Sequence, residues 1–471
     1  MNIVWLHRDL RLADNPALFH AAKPATGVVA VFQACPEEWV AHDDAPVKVD
    51  FWLRNLAELS RSIAARNIAL RFRLVTRAAI AKDLAALTKE LGASELHYNI
   101  EYEINEAKRN AEAVTALERL GVKVVAHHAQ STIPPDDIRT GEGRFYTVYS
   151  PFKRACYKRF EEHGITLLES PKKQPEMVGT PDPIPGRIEG FDSPIDATIW
   201  PAGEAWAHKR LANFIDKRLT NYKADRDTPS VDATSMLSPH LAAGVISPRQ
   251  CILPALEANK RKYEGGSEGA AHWISEVVWR DFYRHVLVGF PRVCMGRAFK
   301  PATERIVWND DEKAFDAWRN GQTGVPIVDS AMRQLKATGW MHNRLRMVAA
   351  MYLTKDLFID WRKGERHFMQ HLIDGDLASN NGGWQWSAST GTDAAPYFRI
   401  FNPYSQSQKC DPDGTFIRKW VPELAGLDAK DIHDPSAIPL LLRGKLDYPD
   451  KPIADHAKAR DRVMKAFQGI A

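Results

Sequence analysis

Cysteine is scarce and unorganised in this chain. Cys35, Cys156, Cys251, Cys294 and Cys410 make five, widely scattered and with no CxxC pair; that excludes a disulfide framework or a zinc knuckle and fits a reducing cytoplasm. No apolar run approaches the length of a membrane span. The N-terminus, a strand-like Asn2 to Leu6 followed by charged residues, lacks the basic, apolar and small-residue order of a secretory signal. Net charge is also slight, +4 over 471 residues. A localised patch rather than the total sets an attractive field, so this balance identifies no partner. No GxGxxG follows the first strand, no GxxxxGK[ST] occurs in the first half, and neither repeats nor low-complexity tracts are found; a Rossmann fingerprint is unsupported.

The chain is otherwise ordinary, 44% hydrophobic and 26% charged, and its length predicts two domains. Apolar runs at Ile3 to Leu6, Val28 to Phe32, Leu70 to Leu74, Glu95 to Tyr98 and Val122 to Ala126 read as strands. Helical stretches separate most of them: from Pro46, the residues Trp52, Leu56, Leu59 and Ile63 recur at helical spacing, and Asp14, Asn15 and Pro16 form a helix start. This predicts an α/β domain with a Rossmann-like parallel sheet over residues 1–130. Seven prolines between Ser170 and Pro201 mark an interdomain connection, placed at 131–201. From 202 to 471 helical periodicity dominates and predicts an all-helical domain, with Asp455 to Lys465 as a solvated helical end. Nine of the 14 tryptophans lie between Trp273 and Trp420, and the simplest use of such side chains is core packing.

Three local patterns carry possible chemistry. Thr234, Ser235 and Ser238 fall at a helix start, where hydroxyls and free N–H groups bind phosphate but more often simply cap. Asp374 and Asp376 flank Gly375, a pair that elsewhere would suggest acid/base catalysis. His367 and His371 have metal-like i, i+4 spacing on a predicted helix, but there is no HExxH, and packing is the commoner role; no metal is predicted. Trp273, Glu276 and Trp279 are expected to lie roughly on one helix face, where a buried glutamate would need a partner.

The opening VWLHRDLRLADNPAL, then TGWMHNRLRM at Thr338 to Met347, and above all DGDLASNNGGWQWSASTGTDAAPYFRIFNP from Asp374 to Pro403 resemble the photolyase and cryptochrome family over nearly the whole chain. Within it the sequence is most similar to the folate-antenna (class I) bacterial cyclobutane pyrimidine dimer photolyases. The resemblance implies an N-terminal α/β antenna domain and a helical FAD- and DNA-binding catalytic domain. It also implies light-driven repair of pyrimidine dimers in DNA by electron transfer from reduced FAD to a flipped lesion; flipping is general among enzymes that act on bases, photolyases included.

Residue by residue, the resemblance assigns FAD contacts to Tyr222, Thr234, Ser235, Met236, Leu237, Ser238, Trp273, Arg280, Asn343, Arg346, Asp374, Asp376 and Asn380. Asp374 pairs with Arg346, and Asn380 faces the flavin N5 as a neutral amide. Met236 stands where some relatives carry a basic residue. The lesion pocket comprises Glu276, Trp279, Asn343, Met347 and Trp386: Trp279 and Trp386 are apolar walls, Asn343 a hydrogen-bonding group and Glu276 a proton source if burial raises its pKa. Trp308, Trp361 and Trp384 match the family's electron relay. Arg226, Arg344, Arg399 and Lys409 match basic positions that bind DNA phosphates. His42, Asn105, Glu106 and Cys294 match contacts to a 5,10-methenyltetrahydrofolate antenna, with Met295 replacing a lysine; a deazaflavin or an empty site is the alternative. A cytoplasmic monomer, with no membrane partner and nucleoid-associated when bound to DNA, is expected. The rivals are a cryptochrome-type photoreceptor without repair activity and a nucleotide-binding α/β enzyme, which would need a phosphate loop in its first domain.

Overall fold

The structure, a computed structural model, describes residues 1–439 and 446–470. Its contacts divide the chain into two compact units: Met1–Thr220 with Ser235–Cys294 and Ile373–Asp376, and Asn221–Thr234 with Met295–Leu372 and Leu377–Ala471.

The first unit holds a five-stranded, all-parallel sheet in the order β3-β2-β1-β4-β5. The strands are β1 Asn2–Leu6, β2 Val28–Ala34, β3 Ala69–Leu74, β4 Glu95–Asn99 and β5 Lys123–His127, each within two residues of the run read in the sequence. Central β1 is buried along its whole length, as a strand covered on both faces must be. Between and after the strands run α1 Pro16–Ala22, α2 Pro36–Ala41, α3 Pro46–Ala64, α4 Ile80–Leu91 and α5 Ile104–Glu118. α1 begins where the sequence indicates: Asn15 caps it by accepting from the Leu18 amide at 3.2 Å. The order reverses between β1 and β4, so the carboxyl ends of these strands open a crevice, the place where such sheets receive ligands.

The 131–201 stretch carries more structure than its prolines suggest. α6 Tyr149–His163 lies within it, burying Tyr149, Phe152, Cys156, Tyr157 and Phe160 at helical spacing. That periodicity precedes the proline cluster, which begins only at Pro171. The unit continues with α7 Glu204–Lys217 and, after α8 Tyr222–Asp225 of the second unit, with α9 Ser238–Ala242, α10 Pro248–Ala258 and α11 Glu268–Gly289.

The second unit is helical: α12 Glu312–Arg319, α13 Pro326–Thr338, α14 Asn343–Met351, α15 Trp361–Met369, α16 Leu377–Ala388, α17 Pro403–Cys410, α18 Thr415–Trp420 and α19 His456–Gln468. Among the described residues its only β pairing is an isolated bridge, Asn309 to Ile359. Its core gathers Trp318, Trp361, Phe368 and Trp384 with aliphatic side chains of α13 and α14.

Candidate functional site

At the carboxyl ends of β1 and β4, Arg8 lies 2.6 Å from Glu101 and 2.7 Å from Glu103, and Arg109 pairs with Glu101 and Glu38. Three of the four expected antenna residues meet beside this cluster. The Asn105 amide donates to His42 Nε2 at 3.1 Å, which leaves the ring proton on Nδ1, 3.5 Å from Glu106 Oε1. Burial lowers the His42 pKa and keeps the ring neutral. Burial and the neighbouring Glu103 push the Glu106 carboxyl up to about 8. Cys294 belongs to the same corner: the Ile104 amide hydrogen-bonds to its sulfur, and burial pushes its thiol up to about 12. Met295, at the position that lacks the lysine, is exposed.

Along α11 the side chains diverge in a way the sequence reading did not anticipate. Residues six apart on an α-helix are turned about 120° from each other. Trp273 therefore packs inward on Phe214, ring centroids 5.1 Å apart, whereas Trp279 stacks face to face on Tyr149 at 3.6 Å. Glu276 is not buried as expected: its side chain is 30% exposed and lies 3.3 Å from His272, one turn back on the same helix. Further on, Arg280 donates to the carbonyls of Gln130 and Leu241, and Arg284 pairs with Asp376. The loop before α9 also differs from a simple cap. Leu237 is the cap residue, and its side chain makes no capping hydrogen bond. Met236 sits at φ +54°, an unusual backbone state for a residue with a β-carbon, of the kind concentrated at functional loops. The Ser235 carbonyl is held by Arg210 Nε at 2.9 Å.

In the second unit, α14 starts at Asn343, which is exposed and whose Oδ1 accepts from Arg226 at 3.2 Å. Arg344 pairs with Asp227, so α8 and its following loop buttress the start of α14. Arg346 Nε donates to the Met341 carbonyl at 2.8 Å. Met347 is half-buried, and Arg399 and Lys409 are exposed, Arg399 beside a 60%-exposed Phe398 that the sequence reading passed over. On α16, Asn380 and Trp384 are one turn apart and share a face, whereas Trp386, two residues past Trp384, points the other way and is half-buried. The Asn380 amide nitrogen donates to the Glu365 carbonyl at 3.0 Å, leaving its Oδ1 as the free acceptor. Trp384 and Trp361 are buried, and Trp308 is partly exposed and packed against their cluster.

Residues 2–176 match the family DNA photolyase, and 273–469 match the FAD binding domain of DNA photolyase. The chain is 42% identical to the deoxyribodipyrimidine photo-lyase of Vibrio cholerae over 99% of both chains, and 41% identical to that of Escherichia coli over 99% of this chain and 98% of the other. This chain belongs to the DNA photolyase family. Among solved structures it is similar to a bacterial class III photolyase from Agrobacterium tumefaciens, at TM-score 0.87, 35% identity and coverage of 100% and 97%. It is equally similar in TM-score, 0.87, to a Synechocystis cryptochrome, at 27% identity and 99% coverage of each chain. The photolyase fold is thus shared with a protein named a cryptochrome, and fold alone does not decide the activity.

Several side chains in this photolyase-family chain escaped the sequence reading. Tyr149 backs Trp279 from 130 positions away, and only the aromatic spacing of α6 hinted at it. Gly364 abuts Trp384: a β-carbon there would lie 2.1 Å from the indole. Trp318 meets Trp384 edge-on at 6.0 Å and donates from Nε1 to the Ala349 carbonyl at 3.1 Å. His367 and His371 serve in packing: His371 Nδ1 bonds the His367 carbonyl at 2.8 Å, and His367 lies edge-on to Trp318 at 5.5 Å. No group of three or more metal-ligating side chains occurs among the described residues, and no helix among them is long and apolar enough to cross a membrane.

Proposed function

We propose that the chain is a deoxyribodipyrimidine photo-lyase that repairs cyclobutane pyrimidine dimers in DNA under near-UV and blue light. The observation that carries this is the 42% identity over 99% of the chain to an enzyme of that name. Reduced FAD, when bound, supplies the photoexcited electron that opens the dimer and takes it back afterwards, leaving no net redox change.

This chain's residues fit the flavin. The Asn380 Oδ1, left as acceptor by the Glu365 contact, suits the N5–H of a reduced ring and adds no charge. Tyr222, Thr234, Ser235, Leu237, Ser238, Trp273, Arg280, Asn343, Arg346, Asp374 and Asp376 would hold the cofactor. Met236 contributes only backbone, having no basic side chain to offer a phosphate. With its Oδ1 taken by Arg226, Asn343 presents N–H donors to a pyrimidine carbonyl. Trp279, held flat by Tyr149, offers a rigid wall, and Met347 and Trp386 add apolar surface. Glu276, half-open and beside His272, is the proton source assigned to the lesion. Arg226, Arg344, Arg399 and Lys409 position phosphates without reading sequence. Trp308, Trp361 and Trp384 lead from a partly exposed to two buried positions, a graded order suited to carrying an electron inward.

The corner of His42, Asn105, Glu106 and Cys294 is assigned to a 5,10-methenyltetrahydrofolate antenna: a carboxyl, an amide and a neutral imidazole match the paired N–H groups of a pterin edge. We assign residues 1–130 to the antenna and 202–471 to FAD and DNA, in a cytoplasmic monomer. The test is illumination of the purified, reduced protein with dimer-containing oligothymidylate, against dark and cryptochrome controls. Restoration of thymine absorbance only in the light supports the reading. Bound flavin with intact dimers refutes it in favour of a photoreceptor.

A further inference from the structure

Beneath the β1 carboxyl end, within the first unit, lies a small cavity lined by Arg8, Arg11, Arg280, Arg284, Gly244 and Asp376 among others. It has room for about one water-sized sphere. Four guanidinium groups face it, and Asp376 is the only carboxylate in its lining. Arg8 is matched by Glu101 and Glu103, and Arg284 Nη2 by Asp376. Arg11 is different. Its nitrogens go to the backbone carbonyls of Asp14 at 2.8 and 3.1 Å, Gly244 at 3.0 Å and Ala129 at 3.2 Å, with no carboxylate among its bonds. Arg280 likewise donates only to the Gln130 and Leu241 carbonyls. Asp281 gives an oxygen to the Thr132 amide at 2.8 Å and does not line the cavity.

Two features point to a ligand. Arg284 is 4% exposed, and its Nη1 is buried without a hydrogen-bond partner; such a charged donor is costly unless something accepts from it. The lining is also rich in guanidinium groups, four against one carboxylate; burial and the adjacent Arg284 push Arg280 down to about 10, with Asp376 and Asp281 acting the other way. An anion accepts from that donor and suits a lining in which guanidinium groups predominate. We propose that this cavity binds a single monoatomic anion, chloride in ordinary buffers, accepting from Arg284 Nη1. A phosphate or the pyrophosphate of a dinucleotide is too large for a space of one water-sized sphere. The proposal does not depend on the light-driven reaction.

The experiment uses crystals of the flavin-containing protein in which bromide replaces chloride, together with thermal denaturation in chloride and in gluconate at matched ionic strength. The expected result is a bromide anomalous peak at hydrogen-bond distance from Arg284 Nη1, with Tm rising a few degrees, about 3 °C, for each tenfold increase in chloride. Arg284→Met should abolish both the peak and the chloride dependence; if that variant fails to fold, the wild-type crystal and titration decide. A cavity holding only water, a flavin phosphate bonded to Arg284 Nη1, or a bromide peak with no chloride-dependent stability would each overturn the proposal.

Discussion

Gly364→Ala sets two effects of opposite sign against each other. Gly364 is interior to α15, where replacing glycine by alanine ordinarily stabilises by about 1 kcal/mol. Here the new β-carbon would lie 2.1 Å from Trp384 Cη2, 2.3 Å from Cζ3 and 2.6 Å from Leu353 Cδ2, while carbon atoms rest about 3.5–4.0 Å apart. The indole would have to retreat by more than an ångström. It has little room, being 2% exposed and met edge-on by Phe368 at 4.9 Å and Trp318 at 6.0 Å. Overpacking costs about 1–3 kcal/mol, and a hemmed-in ring places this site at the upper end. Net destabilisation of about 2 kcal/mol is expected, a Tm lower by about 4–8 °C. In a Trp384→Phe background the two clashing indole atoms are gone and only the end of the Leu353 side chain must shift, so the same change should cost little, giving a coupling of about 2 kcal/mol in a double-mutant cycle. Denaturation midpoints of the four proteins measure it. An alanine variant as stable as wild type, or an equal cost in both backgrounds, would refute the reasoning.

Trp361→Phe should block photoreduction of oxidised flavin while sparing repair by prereduced enzyme; flash photolysis and a repair assay on one preparation separate the two. Glu276→Ala should lower dimers repaired per absorbed photon with flavin content unchanged, and an unaltered quantum yield removes its role as proton source. Lys409→Ala should weaken DNA binding across sequences and shallow the salt dependence by about one phosphate contact, read from affinities at several salt concentrations. The stacked rings of His20, His97 and His127, with His97 and His127 nitrogens 3.0 Å apart, predict acid sensitivity. Burial and the neighbouring rings push His127 down from 6.5 to about 4, so the folded state favours the neutral form. Its contribution is complete above pH 6.5 and is lost as pH falls from there toward 4; His127→Gln should flatten that part of the Tm profile, and an unchanged slope would exclude the stack as its source.

What the sequence disclosed follows the range over which each signal acts. Strand runs and the Asn15 cap depend on neighbours a few residues away, and these appear where the chain's own pattern places them. The His272–Glu276 pair is equally local, four residues apart on one helix, and attention to i, i+4 spacing would have found it; the expectation of a buried glutamate came from counting aromatic neighbours instead. The α11 discrepancy has the same remedy, since 100° per residue already separates Trp273 from Trp279 by about 120°. Other features had no local trace. Tyr149 under Trp279, Arg226 on Asn343 and Gly364 against Trp384 join residues that meet only after packing. A glycine inside a helix reads as a weak point until the ring that needs the space is known. The candidate side chains were legible as types, but their supports were not: the Glu365 carbonyl holds the Asn380 amide nitrogen, and Tyr149 fixes the plane of Trp279. Under the proposed function the geometry of the site resides in such supporting contacts, so changes at Tyr149 or Gly364 should lower repair or photoreduction without touching a ligand.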